Sequence, residues 1–283
     1  MHRRIHALIA ALLLALVIAL PAAAEHPDRA SYRFGGDLPQ ADRDEIRIGF
    51  TIAQRYLPDV APFVVRAGDR VRPPDAGSRG PYEYDYVADA GDHRVEVYTS
   101  GDAYRESSPS EVEETMVHEY YHLVQEELMR RGDPRATEDD DPFVPLWIVE
   151  GTAEWVSVRV AAANGLDDYE KARAVYVGNV KESDVSLDDF DSQPSDDGTD
   201  AYDEDPYSLG FLAVELLASQ HGGQAALDDF WVQVGAERDW RSALRKSFGV
   251  SSTSFVGEFA RWRKAGFPTP SGFAAVPTPA PLP

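Results

Sequence analysis

Apolar residues along this chain fall into two patterns. Short alternating runs lie in the first hundred residues, and three-to-four spacing dominates after that. Ala41 to Tyr56 predicts a helix, with Ile46, Ile48, Phe50, Ile52, Ala53 and Tyr56 as its apolar positions. Asp59 to Arg66 predicts a short strand, and His93 to Tyr98 alternates around two valines and predicts another. Between them, residues 67–92 are rich in Gly, Pro and Asp and predict loop, with one strand at Tyr84 to Val87. Residues 25–40 predict a loose leader.

A clear helix start follows. Ser108 suits an N-cap, Pro109 suits the first helical position, and Glu111 stands where a capping box needs a carboxylate. That helix is expected to run to Arg131 and stop at Gly132. Residues 133–145 predict an acidic, Pro-containing loop, and Pro145 to Asn164 a second helix, with a third over Asp167 to Val177. A strongly acidic segment, 182–206, reads as a loop. Four further helices are expected at Tyr207 to Gln220, Gln224 to Gly235, Trp240 to Phe248 and Ser251 to Lys264. The sum is an α+β fold, mostly helical, with its strands in the N-terminal part and a helical C-terminal part.

The termini divide the chain further. Residues 1–24 have a basic start, an unbroken apolar stretch at 7–20, Pro21 and then Ala22-Ala23-Ala24, the make-up of a cleavable signal peptide. An uncleaved anchor is the alternative. The expected organisation is a signal at 1–24, one catalytic domain at 25–265 and a Pro/Ala-rich tail at 266–283. The expected location is therefore secreted or within the cell envelope. The chain has no cysteine, which excludes disulfides, thiolate catalysis and a cysteine-linked lipid anchor. Its net charge is −22 over 283 residues. Such a balance argues against nucleic acid and against anionic membranes once the signal is cleaved. The acidic clusters at 138–141 and 196–205 match no EF-hand spacing.

The chemistry is concentrated in His118-Glu119-Tyr120-Tyr121-His122, an H-E-x-x-H run. Residues i and i+4 share one helical face, so both imidazoles can reach one ion. A catalytic zinc site takes three protein ligands of nitrogen or oxygen and leaves one position open. Glu150 is the candidate third ligand, and Glu119 the candidate base for a zinc-activated water. Glu150 and Glu154 are themselves i and i+4, so one can ligate while the other accepts a ring N–H from a histidine. Gly151 suits close helix packing, and Trp147 and Trp155 suit the core. His221, beside two glycines, suits a cationic helix C-terminus.

The H-E-x-x-H run and Trp147-Ile148-Val149-Glu150-Gly151-Thr152-Ala153-Glu154-Trp155 together resemble the gluzincin metallopeptidases of the peptidase MA-like clan. The resemblance is specific over Ser108 to Trp155, looser from Tyr202 onward and thin before residue 95. It implies a zincin-like fold, a bound zinc ion, His118, His122 and Glu150 as ligands, Glu119 as base and Glu154 as the carboxylate orienting a histidine. Asp205-Pro206-Tyr207-Ser208-Leu209-Gly210-Phe211 is similar to the clan's Tyr-x-x-Gly/Ser-x-Phe helix start. That likeness implies that Tyr207 stabilises the oxyanion, with Tyr202 as the alternative. The strand at Arg94 to Thr99 stands where gluzincins place the edge strand that pairs with an extended peptide. The implied activity is hydrolysis of peptide bonds in a peptide or protein. The Gly-x-Met-Glu-Asn element of the aminopeptidase branch has no counterpart in this chain. Two alternatives stand beside this reading: a zinc hydrolase of another bond, and an inactive binding or structural protein built on the same helices.

Overall fold

The computed structural model describes residues 29–68, 70–71, 87–134, 142–190 and 206–271. The segments expected as signal, acidic clusters and C-terminal tail lie wholly or largely outside these, as does Tyr202.

The N-terminal part is a four-stranded sheet: β1 (Ala30–Phe34), β2 (Phe63–Ala67), β4 (Arg94–Val97) and β3 (Ala88–Gly91), in that order across it. β1 and β2 are parallel, in register Ala30 to Phe63, and helix α1 (Gln40–Tyr56) makes the crossover between them. β4 runs parallel to β2, and β3 returns antiparallel along β4. The inward faces of β2 and β4 carry Phe63, Val65, Ala67, Val95 and Val97, all buried. They meet Ile46, Phe50 and Ala53 of α1. Phe50 and Phe63 lie 5.5 Å apart, and Phe63 and Tyr120 5.8 Å, so an aromatic chain joins the sheet to the next layer.

Two expectations fail here. Residues 30–34, expected within a leader, form an edge strand, because the partner that organises them lies 33 residues further along the chain. The strand at Arg94 to Val97 is interior, paired on both sides, so it presents no edge. Among the described residues the outer strand on that side is β3, whose sequence Ala-Asp-Ala-Gly has little strand preference of its own. A two-residue turn imposes it: Asp92 and His93 both have left-handed backbone, φ 52° and 57°. The Asp92 N–H donates to Glu126 Oε1 at 3.1 Å, which fastens the hairpin tip to the helix beneath.

Among the described residues the rest is helical: a short α2 (Asp102–Glu106), then α3 (Pro109–Gly132), α4 (Leu146–Asn164), α5 (Tyr169–Val180), α6 (Pro206–His221), α7 (Gly223–Glu237), α8 (Trp240–Phe248) and α9 (Ser252–Lys264). α3 begins with the expected capping box: the Glu111 N–H donates to Ser108 Oγ, and the Ser108 N–H to Glu111 Oε2. It ends one residue later than expected. Gly132 is its last helical residue and matters for packing, since a Cβ there would meet the backbone of Ala236 on α7 at 2.7 Å. Asp239 and Ser251 cap α8 and α9.

The helical core is aromatic, with Trp147 stacked on Phe255 and Tyr176 stacked on Phe211 at 4.2 Å. Inside it Arg173 donates to both oxygens of Glu215, at 2.8 and 2.9 Å, and to the carbonyl of Phe267. Tyr169 donates to the same carboxylate, so the buried charges are paired and hydrogen-bonded. No helix among the described residues is long and apolar enough to cross a membrane.

Candidate functional site

The site lies where α3, α4 and α6 meet the edge strand β3. Two helical crossings set its dimensions. α3 and α4 cross beside the histidines. α4 and α6 cross at Gly151 and Gly210, where a Cβ on Gly210 would stand 2.6 Å from the Trp147 carbonyl and 2.8 Å from Gly151 Cα. Backbone therefore rests on backbone, and the first turn of α6, with Tyr207, is drawn over the α4 residues that follow Trp147.

On α3, His118 and His122 turn their rings toward a common point. Their centroids are 4.7 Å apart, and their Nε2 atoms 2.9 Å. Glu150 of α4 brings Oε2 to 3.3 Å from His118 Nε2 and 3.4 Å from His122 Nε2. These are the groups among the described residues that converge closely enough to share an ion. Zinc held at about 2.0–2.1 Å by a tetrahedral shell puts its donors about 3.3 Å from one another. The triangle has edges of 2.9, 3.3 and 3.4 Å, so this donor set fits that ion in both chemistry and size.

The electrostatics are those of a tightly coupled cluster. Burial works against the charge of Glu150, but His122 and His118 outweigh it and hold its carboxyl well below the usual range. Burial likewise opposes protonation of His118, and Glu150 and Glu154 overcome it in the other direction. Glu119 is 5% exposed. Its burial pushes its carboxyl up to about 7 despite the two neighbouring histidines.

Around this triangle the remaining side chains take distinct places. Glu154 lies on the far side of His118, with Oε2 3.8 Å from Nδ1, and accepts a hydrogen bond from the Tyr176 hydroxyl at 3.1 Å. Tyr207 is 42% exposed, its ring 6.2 Å from that of His118. Trp147 and Trp155 are buried in the core as expected. His221 stands in the last turn of α6 and faces Glu258 Oε2 at 3.7 Å. One participant was missed by sequence reasoning. Gln125, one turn beyond His122, meets His122 Nδ1 with Oε1 at 2.9 Å. The spacing i, i+3 was a signal for it, but a glutamine on a helix has no chemistry of its own to draw notice.

The triangle borders a cleft of about 530 Å³. Its lining includes Val87 and Ala88 at the start of β3, His118 and Glu119 of α3, and Val175, Tyr176 and Tyr207. Its acidic end carries Glu111, Glu114, Glu154 and Asp167. Crowding shows in Glu114. Burial, then Glu154 and Asp167, raise its carboxyl from 4.5 to about 8.

No family model matches the chain, and no curated protein matches it in sequence. Three solved structures share part of its shape. An M1 zinc metallopeptidase from Deinococcus radiodurans overlaps 89% of this chain with 14% identity and a TM-score of 0.44. A mutant two-domain M1 zinc metallopeptidase bound to L-tryptophan overlaps 88% of it with 14% identity and a TM-score of 0.41. The same kind of mutant bound to L-arginine overlaps 89% with 12% identity and a TM-score of 0.42. The chain spans half the length of each.

Proposed function

We propose that this chain is a zinc-dependent peptidase that hydrolyses peptide bonds with Glu119 as general base. The observation that carries the reading is the donor triangle of His118, His122 and Glu150, with a buried carboxyl, Glu119, next to His118 in the lining of a cleft. A purely structural ion needs no such carboxyl, so this arrangement favours an enzyme over a binding protein. The fold that the reading implies is zincin-like.

In this reading His118, His122 and Glu150 are the residues that would hold a zinc ion. Bound there, such an ion would supply Lewis-acid chemistry, polarising a carbonyl and lowering the pKa of a water. Glu119 takes a proton from the attacking water. A carboxyl buried beside the attacking water is placed both to accept that proton and to hand it on to the leaving amine. Tyr207, in the cleft wall beside His118, donates its hydroxyl to the oxyanion that forms. The substrate lies extended and adds a strand along β3, the outer strand of the sheet among the described residues, which takes the part expected of Arg94 to Thr99. Export through residues 1–24 belongs to the same proposal.

The test is a peptide-library digest with the zinc-loaded protein beside Glu119→Gln. The reading expects internal or terminal cleavage by the wild type, and turnover lower by about 10²- to 10⁴-fold in the variant, which keeps its zinc. Equal cleavage by both would remove Glu119 from the mechanism. Binding of zinc without cleavage of any peptide would contradict the peptidase reading and leave the two alternatives, a hydrolase of another bond and an inactive binding protein.

A further inference from the structure

We infer that Gln125 is a positioning residue for the metal site: it fixes the tautomer and orientation of His122 and ties that ligand to the helix that carries Glu150. The inference rests on the metal reading above and extends it to a residue that reading does not use. Gln125 is 3% exposed, and all its polar atoms are engaged. Its Nε2 lies 2.9 Å from the Val149 carbonyl and 2.8 Å from Thr152 Oγ1. A carbonyl only accepts, so the atom facing Val149 must be the NH₂ group, and the amide cannot be turned over. The Thr152 hydroxyl donates to the same carbonyl at 3.1 Å, which leaves its oxygen as acceptor for the second amide N–H.

The oxygen end of the amide is thereby committed to His122 Nδ1 at 2.9 Å. That oxygen can only accept, so Nδ1 carries the proton. Nε2, on the far side of the ring, is left with its lone pair directed at the point shared by His118 and Glu150. Histidine ligands commonly give their second N–H to a carboxylate, a backbone carbonyl or water. Here the acceptor is a neutral amide. A carboxylate in its place would set an oxygen against the Val149 carbonyl, and it would add a charge to a cluster that already holds Glu119 and Glu150. Because Val149 precedes Glu150, the same side chain couples the position of one ligand to the helix turn that presents another.

The experiment measures zinc Kd by competition with a chromogenic chelator for wild type, Gln125→Leu and Gln125→Glu. It adds long-range ¹H–¹⁵N correlation of the His122 ring in the zinc-loaded wild type. The leucine variant loses the acceptor and both donors, and its zinc Kd is expected to rise by about 10- to 100-fold. The glutamate variant keeps an acceptor opposite Nδ1–H but sets an oxygen against the Val149 carbonyl, so its zinc Kd is expected to lie between those of wild type and the leucine variant. The His122 ring is expected to carry its proton on Nδ1, a result that needs no variant to fold. Unchanged zinc Kd in folded Gln125→Leu, or a proton on Nε2, would each overturn the inference and leave Gln125 a tie between helices. A wild type that takes up no zinc overturns the metal reading, and this inference with it.

Discussion

At the scale of the residue, two carboxylates beside the triangle make separate predictions. Glu154 has its oxygen 3.8 Å from His118 Nδ1, beyond hydrogen-bond length, and shares it with the Tyr176 hydroxyl. Its hold on His118 is therefore electrostatic more than directional. Glu154→Gln should raise zinc Kd, but by less than the roughly 10-fold that marks a directly bonded partner, and by far less than Glu150→Ala. A chelator competition series over the three proteins checks the order. Glu114 makes the second prediction. Its folded-state carboxyl is raised to about 8, so between about 4.5 and 8 the folded protein holds a proton that the unfolded chain releases. Its contribution to stability therefore falls as pH rises through that window and is flat above it. Glu114→Gln removes the penalty. In metal-free protein the variant and wild type should have similar denaturant midpoints at pH 4.5, and the variant should be the more stable at pH 9. A difference that does not change with pH would mean the carboxyl is solvated.

At the scale of the element, the close crossing of α4 and α6 is the feature on which cleft geometry depends. Gly151 packs against Gly210 with no room for a methyl: a Cβ at Gly151 would stand 2.6 Å from Gly210 Cα. Backbone cannot turn aside as a side chain can. Gly151→Ala should therefore cost about 1–3 kcal/mol or more of stability, as overpacking does. It should also lower turnover beyond the stability loss, because Tyr207 rides on the displaced helix. Thermal unfolding beside kcat at a temperature where both proteins are folded separates the two effects.

Elements were legible wherever the local chain decides them. The Ser108–Glu111 capping box, the Asp239 and Ser251 caps and the left-handed Gly165 after α4 each leave a mark within four residues. Residues 30–34 and 88–91 left no such mark. Their strand character comes from β2 and β4, and in the second case from a left-handed Asp92-His93 turn held by Glu126. The short helix α2 and a 3₁₀ turn at Leu187–Phe190 were also missed, the latter although Ser186 and Asp189 bond its first turn locally.

At the scale of the molecule, the pairing of two histidines on one helix could be read from their spacing. The arrival of Glu150 at 3.3 and 3.4 Å from them depends on a helix crossing that spacing alone does not encode. The same is true of Gln125, whose partner atoms lie 24 and 27 residues away. A small part of the chain's acidity is gathered at the cleft, where carboxylates of Glu111, Glu154 and Asp167 surround Glu114. A Lys or Arg side chain entering there would let Glu114 ionise and would be held by it. Library cleavage should therefore favour peptides with a basic residue near the scissile bond, and the preference should weaken in Glu114→Gln and at high salt. Indifference to basic residues would make the acidic end a solvated wall only.

The most direct test of the central claim is zinc content by elemental mass spectrometry after equilibration and gel filtration. It compares wild type, Glu119→Gln and the His118→Ala/His122→Ala double variant. About one zinc per chain is expected in the first two and essentially none in the third, since two of the three donors of a catalytic site are gone. Undiminished zinc in the double-alanine variant, or none in the wild type, would contradict the account.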